Sequence, residues 1–193
     1  DPPEHRVMRS LVNKVFTPRA ISAWHDMVSD TVDRFLAAAS AGPSFDVVSD
    51  FSVYFPVEVI TQMLGVPAER RQQVRQWVDT SLHREPGQIE MSAEGQQAIA
   101  EAMALYYELI QQRRAEPQDD MFTRLVQAEI EREDGQKESL DDFEIAGFAT
   151  LLGGAGAETV TKLIGNAAVT FAQNPDQWQM LLDDRDKIPA AVE

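Results

Sequence analysis

The segment LLGGAGAETVTKLIG, Leu151 to Gly165, places three glycines within four residues, with a Glu-Thr pair close behind them. It lies inside the longest apolar run of the chain, and its flanks, DDFEIAGFAT (141–150) and NAAVTFAQNP (166–175), read as helix. A glycine in a helix interior costs roughly 1 kcal/mol relative to alanine. A helix that carries Gly153, Gly154 and Gly156 together is using the absent side chains to admit something close to its backbone.

Working outward, the same helix extends from the polar turn GQKES to about Gln173, close to three times the ordinary length of roughly 11–12 residues. Apolar residues recur at helical spacing through the rest of the chain, and strand signals are scarce. DPPEHRVMRSLVNKVF opens with prolines suited to a helix start and sets Val7, Leu11 and Val15 four residues apart. Thr17-Pro18 begins a second helix, with Ile21, Trp24, Val28, Val32 and Phe35 on one face. FDVVSDFSVYFPVEVITQMLGVP is a third, in which Pro56 marks the true start or a kink and Gly65 and Pro67 close the end. PAERRQQVRQWVDTSLH and AEGQQAIAEAMALYYELIQQRRAEP follow as helices, separated by REPGQIEMS. The second of them ends on Arg113 and Arg114, cations suited to a helix C-terminus. DDMFTRLVQAEIERED reads as another helix, and NPDQWQMLLDD as a short one after the glycine-bearing segment. The pattern predicts an all-α domain packed around one long central helix.

The chain has 193 residues, enough for one domain with a substantial core. Its formal net charge of -15 repels nucleic acid and anionic membrane surfaces, so neither is an expected partner. There are no cysteines, which excludes disulfides and thiolate metal sites within these residues and agrees with a reducing cytoplasm. The nearly uncharged run Ile145 to Ala157 is shorter than the roughly 20 residues of a membrane span. A soluble, cytoplasmic protein is expected. The sequence begins at DPPEHR without methionine and stops at IPAAVE, where a new helix is starting, so it reads as a fragment of a longer protein.

GGAGAET lacks the last glycine of a dinucleotide-binding fingerprint, and no strand precedes it. Two readings of it stand level on the residues alone. In one, the small residues let another helix approach, Thr159 bonds back to a carbonyl, and Glu158 pairs with Lys162 one turn on. In the other, Glu158 and Thr159, about 100° apart on the helix, pass protons toward something lying over the glycines. A second constellation is His5 and Arg9, which share a helix face at four-residue spacing and can both donate to an anion. Arg6, Lys14 and Arg19 make that end locally basic, and a solvated face is the competing reading. No HExxH, paired-His or nucleophile-elbow motif is present.

Together these two constellations resemble a cytochrome P-450, a haem-thiolate monooxygenase of the soluble bacterial type. DPPEHRVMRSLVNKVFTPR is similar to the family's C helix, AGAETVTKLIGN to its I-helix pattern of Ala/Gly-Gly-x-Asp/Glu-Thr, and NPDQWQMLLDD…IPAAVE to its J helix and the start of its K helix. The resemblance covers essentially the whole chain and implies a partial P-450 fold built around the long I helix, a single incomplete monooxygenase domain over residues 1–193. It implies haem b and dioxygen, with His5 and Arg9 bonding the haem propionates and Ala155 and Gly156 against the haem face. It makes Thr159 the alcohol beside bound dioxygen and Glu158 the acid that relays protons to it. Leu151, Gly154 and Ala155 would border an apolar substrate's pocket, and Ser81 to Met91 would form a mobile cover. A ferredoxin or flavodoxin-type donor would dock on the basic face of the first helix.

The family's axial cysteine, its surrounding Phe-x-x-Gly loop and the Glu-x-x-Arg pair of its K helix are absent, so the chain alone is expected to be inactive and to ligate no metal. The alternative class is a non-catalytic all-helical module that binds a small molecule or serves a structural role.

Overall fold

The computed structural model describes Arg9, residues 16–131 and residues 137–193. Helices dominate, in the order α1 (Pro18–Ala23), α2 (His25–Ala39), a π-helical segment (Val47–Ser52), α3 (Phe55–Leu64), α4 (Ala68–Leu82), α5 (Ala93–Ala115) and α6 (Met121–Val126). A two-stranded antiparallel ribbon, β1 (Glu129–Glu131) and β2 (Lys137–Ser139), leads into α7 (Asp142–Gln173), and α8 (Pro175–Asp183) and α9 (Ile188–Val192) follow.

The helix boundaries follow local chemistry. Thr17 caps α1 by accepting from Ala20 N at 3.2 Å, with Pro18 in the first turn. Pro56 lies in the first turn of α3 and marks its start. Gly65 ends that helix at φ 98°, a left-handed conformation that favours glycine. At the start of α7, Asp141 Oδ1 accepts from Glu144 N at 2.7 Å, and Asp141 N donates to the Glu144 carboxylate at 2.9 Å. That reciprocal capping box sets the first turn of a 32-residue helix.

The core gathers around the first half of α7. Ile145, Ala146, Phe148 and Ala149 pack with Ile60, Met63 and Leu64 of α3, with Leu105, Tyr106, Leu109 and Ile110 of α5, and with Met121, Phe122 and Leu125 of α6. Burial thins out beyond Ala157, and Leu163 and Val169 are exposed. The π-helical segment meets α7 on another side, where Thr161 Oγ1 donates to Ser52 O at 2.7 Å.

One feature differs from the sequence expectation. The helix expected over DDMFTRLVQAEIERED stops at Val126, and the chain turns into β1. Ile130, opposite Glu138 in the ribbon, is buried in the core, so tertiary burial overrides the helix preference of the surrounding Glu and Arg residues. Arg113 lies in the last turn of α5, as the sequence predicts. It is buried, ion-paired with Asp120 and donating to Gly65 O at 3.1 Å, so one guanidinium joins α5 to the ends of α3 and α6.

A further buried charge lies on α3. Glu58 is 4% exposed and accepts from Arg71 at 2.9 Å, Gln72 at 3.1 Å and Arg34 at 3.2 Å. Burial pushes its carboxyl up, but the hydrogen bonds from Arg71, Gln72 and Arg34 outweigh it and hold the group below the ordinary glutamate value.

Candidate functional site

The glycine-bearing stretch sits in the middle of α7, and each glycine has a separate neighbour. A methyl group built on Gly153 would lie 3.0 Å from the hydroxyl oxygen of Tyr106 on α5. One on Gly156 would lie 3.0 Å from Ile60 Cγ1 on α3, and one on Gly165 would lie 3.0 Å from Val48 Cγ2 in the π-helical segment. Gly154 is different, because nothing among the described residues comes within 4 Å of the same position. Close helix packing therefore accounts for Gly156 and Gly165, and Gly153 makes room for a tyrosine hydroxyl.

Between these contacts runs an exposed ridge. Phe143 is 74% and Leu151 67% exposed, and Gly147, Ala155 and Thr159 continue the same four-residue spacing, all exposed. Thr159 donates from Oγ1 to Ala155 O at 2.9 Å, which fixes the hydroxyl beside the small residue one turn back. Glu158, on the adjacent face, is ion-paired with Lys162. Both contacts of the packing reading are thus present. The two residues placed together by the family resemblance separate here: Ala155 is on the exposed ridge, and Gly156 faces Ile60.

Beside the ridge, α4, α5 and α7 enclose a groove of about 370 Å³. Leu151, Gly154, Ala155, Glu158 and Thr159 form one wall. Trp77, Val78, Ser81 and Leu82 of α4 and Ala98, Ile99, Ala102 and Tyr106 of α5 form the others, with Met91 at one end. All five α7 residues assigned by the resemblance, apart from Gly156, therefore come together on one cavity. On α4, Arg75 pairs with Asp79 at 2.6 Å. Burial raises the Asp79 carboxyl and Arg75 lowers it, while the charge of Glu158 nearby raises it further, so the direction is upward. The segment between α4 and α5, which contains Arg84 to Met91, passes over the same end of the groove, and Ile89 is fully exposed there.

His5 lies outside the described residues. Arg9 is in helical backbone and exposed. Among the described residues no group of three or more His, Asp or Glu side chains could hold a metal ion, and no helix is long and apolar enough to cross a membrane.

Sequence reasoning missed Tyr106. It lies in a run of apolar helix residues and reads as core, and it is 1% exposed. The signal available was the facing helix, where Gly153 supplies the space its hydroxyl occupies.

No family model matches the chain. Individual relatives do, over its whole length. The erythromycin C-12 hydroxylase of Saccharopolyspora erythraea is 36% identical over 201 residues, covering 100% of this chain and 48% of that protein. The biotin biosynthesis cytochrome P450 of Bacillus subtilis is 33% identical over 193 residues, covering 99% of this chain and 47% of the relative. The substrate-free crystal structure of CYP109E1 from Bacillus megaterium superposes on all of this chain and 50% of its own, with a TM-score of 0.88 at 32% identity. The helical architecture of this chain is thus shared with that structure. The chain belongs to the cytochrome P450 family, and it spans about half the length of the curated relatives it matches.

Proposed function

We propose that the whole protein is a haem-dependent monooxygenase that hydroxylates a small apolar organic substrate, with α7 and the groove beside it forming the substrate side of the reaction chamber. The observation that carries this reading is the juxtaposition on α7. An exposed ridge of Leu151, Ala155 and Thr159 borders an apolar groove, and the acid of Glu158 opens on the same cavity.

The residues fit a flat cofactor. Ala155 offers only a methyl group, and beside it the position a Gly154 side chain would occupy has no atom within 4 Å. His5 and Arg9 would hold the propionates, and the axial cysteine would come from outside this sequence. Haem, when bound, supplies the activation of dioxygen.

The chain's own residues supply position and protons. Leu151, Gly154 and Ala155 shape the space next to the cofactor face, and the apolar side chains of α4 and α5 exclude water from it. Thr159 Oγ1, oriented by Ala155 O, keeps its lone pairs free to accept and can rotate to donate. Glu158 takes a proton from solvent when its pair with Lys162 opens, and it delivers the proton toward Thr159 Oγ1. Electrons come from a ferredoxin or flavodoxin-type donor docked at the amino-terminal end of the sequence, made locally basic by Arg6, Lys14 and Arg19. The protein is read as soluble and cytoplasmic.

The test is the carbon monoxide difference spectrum of the reduced full-length protein. A thiolate-ligated haem gives a strongly red-shifted Soret band; a preparation that takes up haem without that band would rule the reading out.

A further inference from the structure

Four hydroxyl-bearing residues line the groove between α4, α5 and α7: Ser81, Tyr106, Thr150 and Thr159. Three already give their hydrogen to the backbone. Ser81 donates to Val78 O at 2.8 Å, Thr150 to Ala146 O at 2.8 Å and Thr159 to Ala155 O at 2.9 Å. The indole N–H of Trp77 is likewise committed, to Glu101 at 2.7 Å. Tyr106 is the exception. Its ring is buried against Phe122, with centroids 5.6 Å apart, and its hydroxyl has no hydrogen-bond partner among the described residues.

The ring is buried but the hydroxyl oxygen is not a sealed, unsatisfied atom, so it opens on the groove, and a glycine on the facing helix leaves it room. A methyl group on Gly153 would lie 3.0 Å from the oxygen. The helix thus gives up a side chain at Gly153 and the phenol keeps an unused donor at the groove wall. We infer that the Tyr106 hydroxyl is a specificity-determining donor, which binds an acceptor oxygen, a carbonyl or ether, on an otherwise apolar substrate. This rests on the reading of the groove as the substrate pocket. Burial also pushes the phenol far above its ordinary pKa, so the group remains a neutral donor across the working pH range.

The experiment uses the full-length haem-loaded protein and two matched probes, cyclododecanone and cyclododecane, titrated calorimetrically. The native protein is expected to bind the ketone about tenfold more tightly than the hydrocarbon, the size of effect of one net hydrogen bond. Tyr106→Phe should abolish that preference by weakening ketone binding about tenfold and leaving cyclododecane unchanged. Its thermal midpoint should not fall, because no protein group loses a partner. Gly153→Ala, which displaces the hydroxyl, should reduce the preference in the same direction. Leu151→Trp, which fills the groove, should block both probes. If Leu151→Trp blocks both but Tyr106→Phe leaves the ratio unchanged, or weakens both probes equally, the donor role is overturned and the pocket reading stands. If the native protein binds neither probe, or Leu151→Trp blocks neither, the pocket reading fails and the inference fails with it.

Discussion

Gly156 and Ile60 meet across two helices: a methyl group on Gly156 would lie 3.0 Å from Ile60 Cγ1 and 3.2 Å from its Cβ. Gly154, two residues earlier, has nothing within 4 Å of the same position. The two glycines therefore predict opposite stability changes. Gly156→Ala should destabilise by about 1–2 kcal/mol through overpacking. Gly154→Ala should be neutral or stabilising by up to about 1 kcal/mol through helix propensity. Urea unfolding of the two variants checks this, and equal or reversed effects would refute the packing assignment.

The bond from Thr159 to the Ala155 carbonyl lies on an exposed helix surface, so removing it should cost little stability, about 0.5 kcal/mol or less. Its effect is expected in turnover. In the full-length enzyme Thr159→Ala should keep consuming electrons and dioxygen while product falls about tenfold and hydrogen peroxide rises to match. The ratio of product formed to electron donor oxidised measures this; an unchanged ratio would remove Thr159 from the oxygen-handling machinery.

Glu158 and Lys162 form an ion pair one turn apart at the edge of the groove. If that carboxylate is the proton donor to Thr159, Glu158→Gln should slow turnover after oxygen binding on the order of a hundredfold, within the range of general acid contributions. Lys162→Met, which removes only the cation, should slow it far less. Single-turnover kinetics in protium and deuterium oxide distinguish the two variants. A normal rate in Glu158→Gln would sink the relay.

Much of this was legible in the sequence because it depends on local spacing. The 3.6-residue period, Thr17-Pro18, Pro56 and Gly65 all have short-range causes, and they located the helices. The ridge of Leu151, Ala155 and Thr159 follows from a four-residue repeat. What was not legible depends on partners distant in sequence. AEIERED has the composition of a helix, yet Glu129–Glu131 within it is a strand, because Ile130 reaches the core. Gly153 and Gly156, two of the three clustered glycines, look alike in sequence and are explained by Tyr106 and Ile60, from two different helices. Arg113 and Glu58 each have a buried ionic role set by residues elsewhere in the chain.

Glu58 gives a prediction about acid. Its carboxylate is nearly fully buried on α3 and is held by Arg71 and Gln72 from α4 and Arg34 from α2, so three helices converge on it. These bonds place its folded-state pKa below the unfolded value. The stabilisation is therefore complete above the unfolded glutamate pKa of about 4.3 and is lost as pH falls below it, through the folded value. At pH 7, Glu58→Gln should be destabilised by about 2 kcal/mol, because Arg71, half-buried beside it, is left without its counter-charge. Below about pH 4.3 the difference should narrow, since protonation brings the native protein to the same neutral state. Denaturant unfolding from pH 7 to pH 3 compares the two curves. Parallel curves throughout would mean that the Glu58 carboxylate is not what joins α2, α3 and α4.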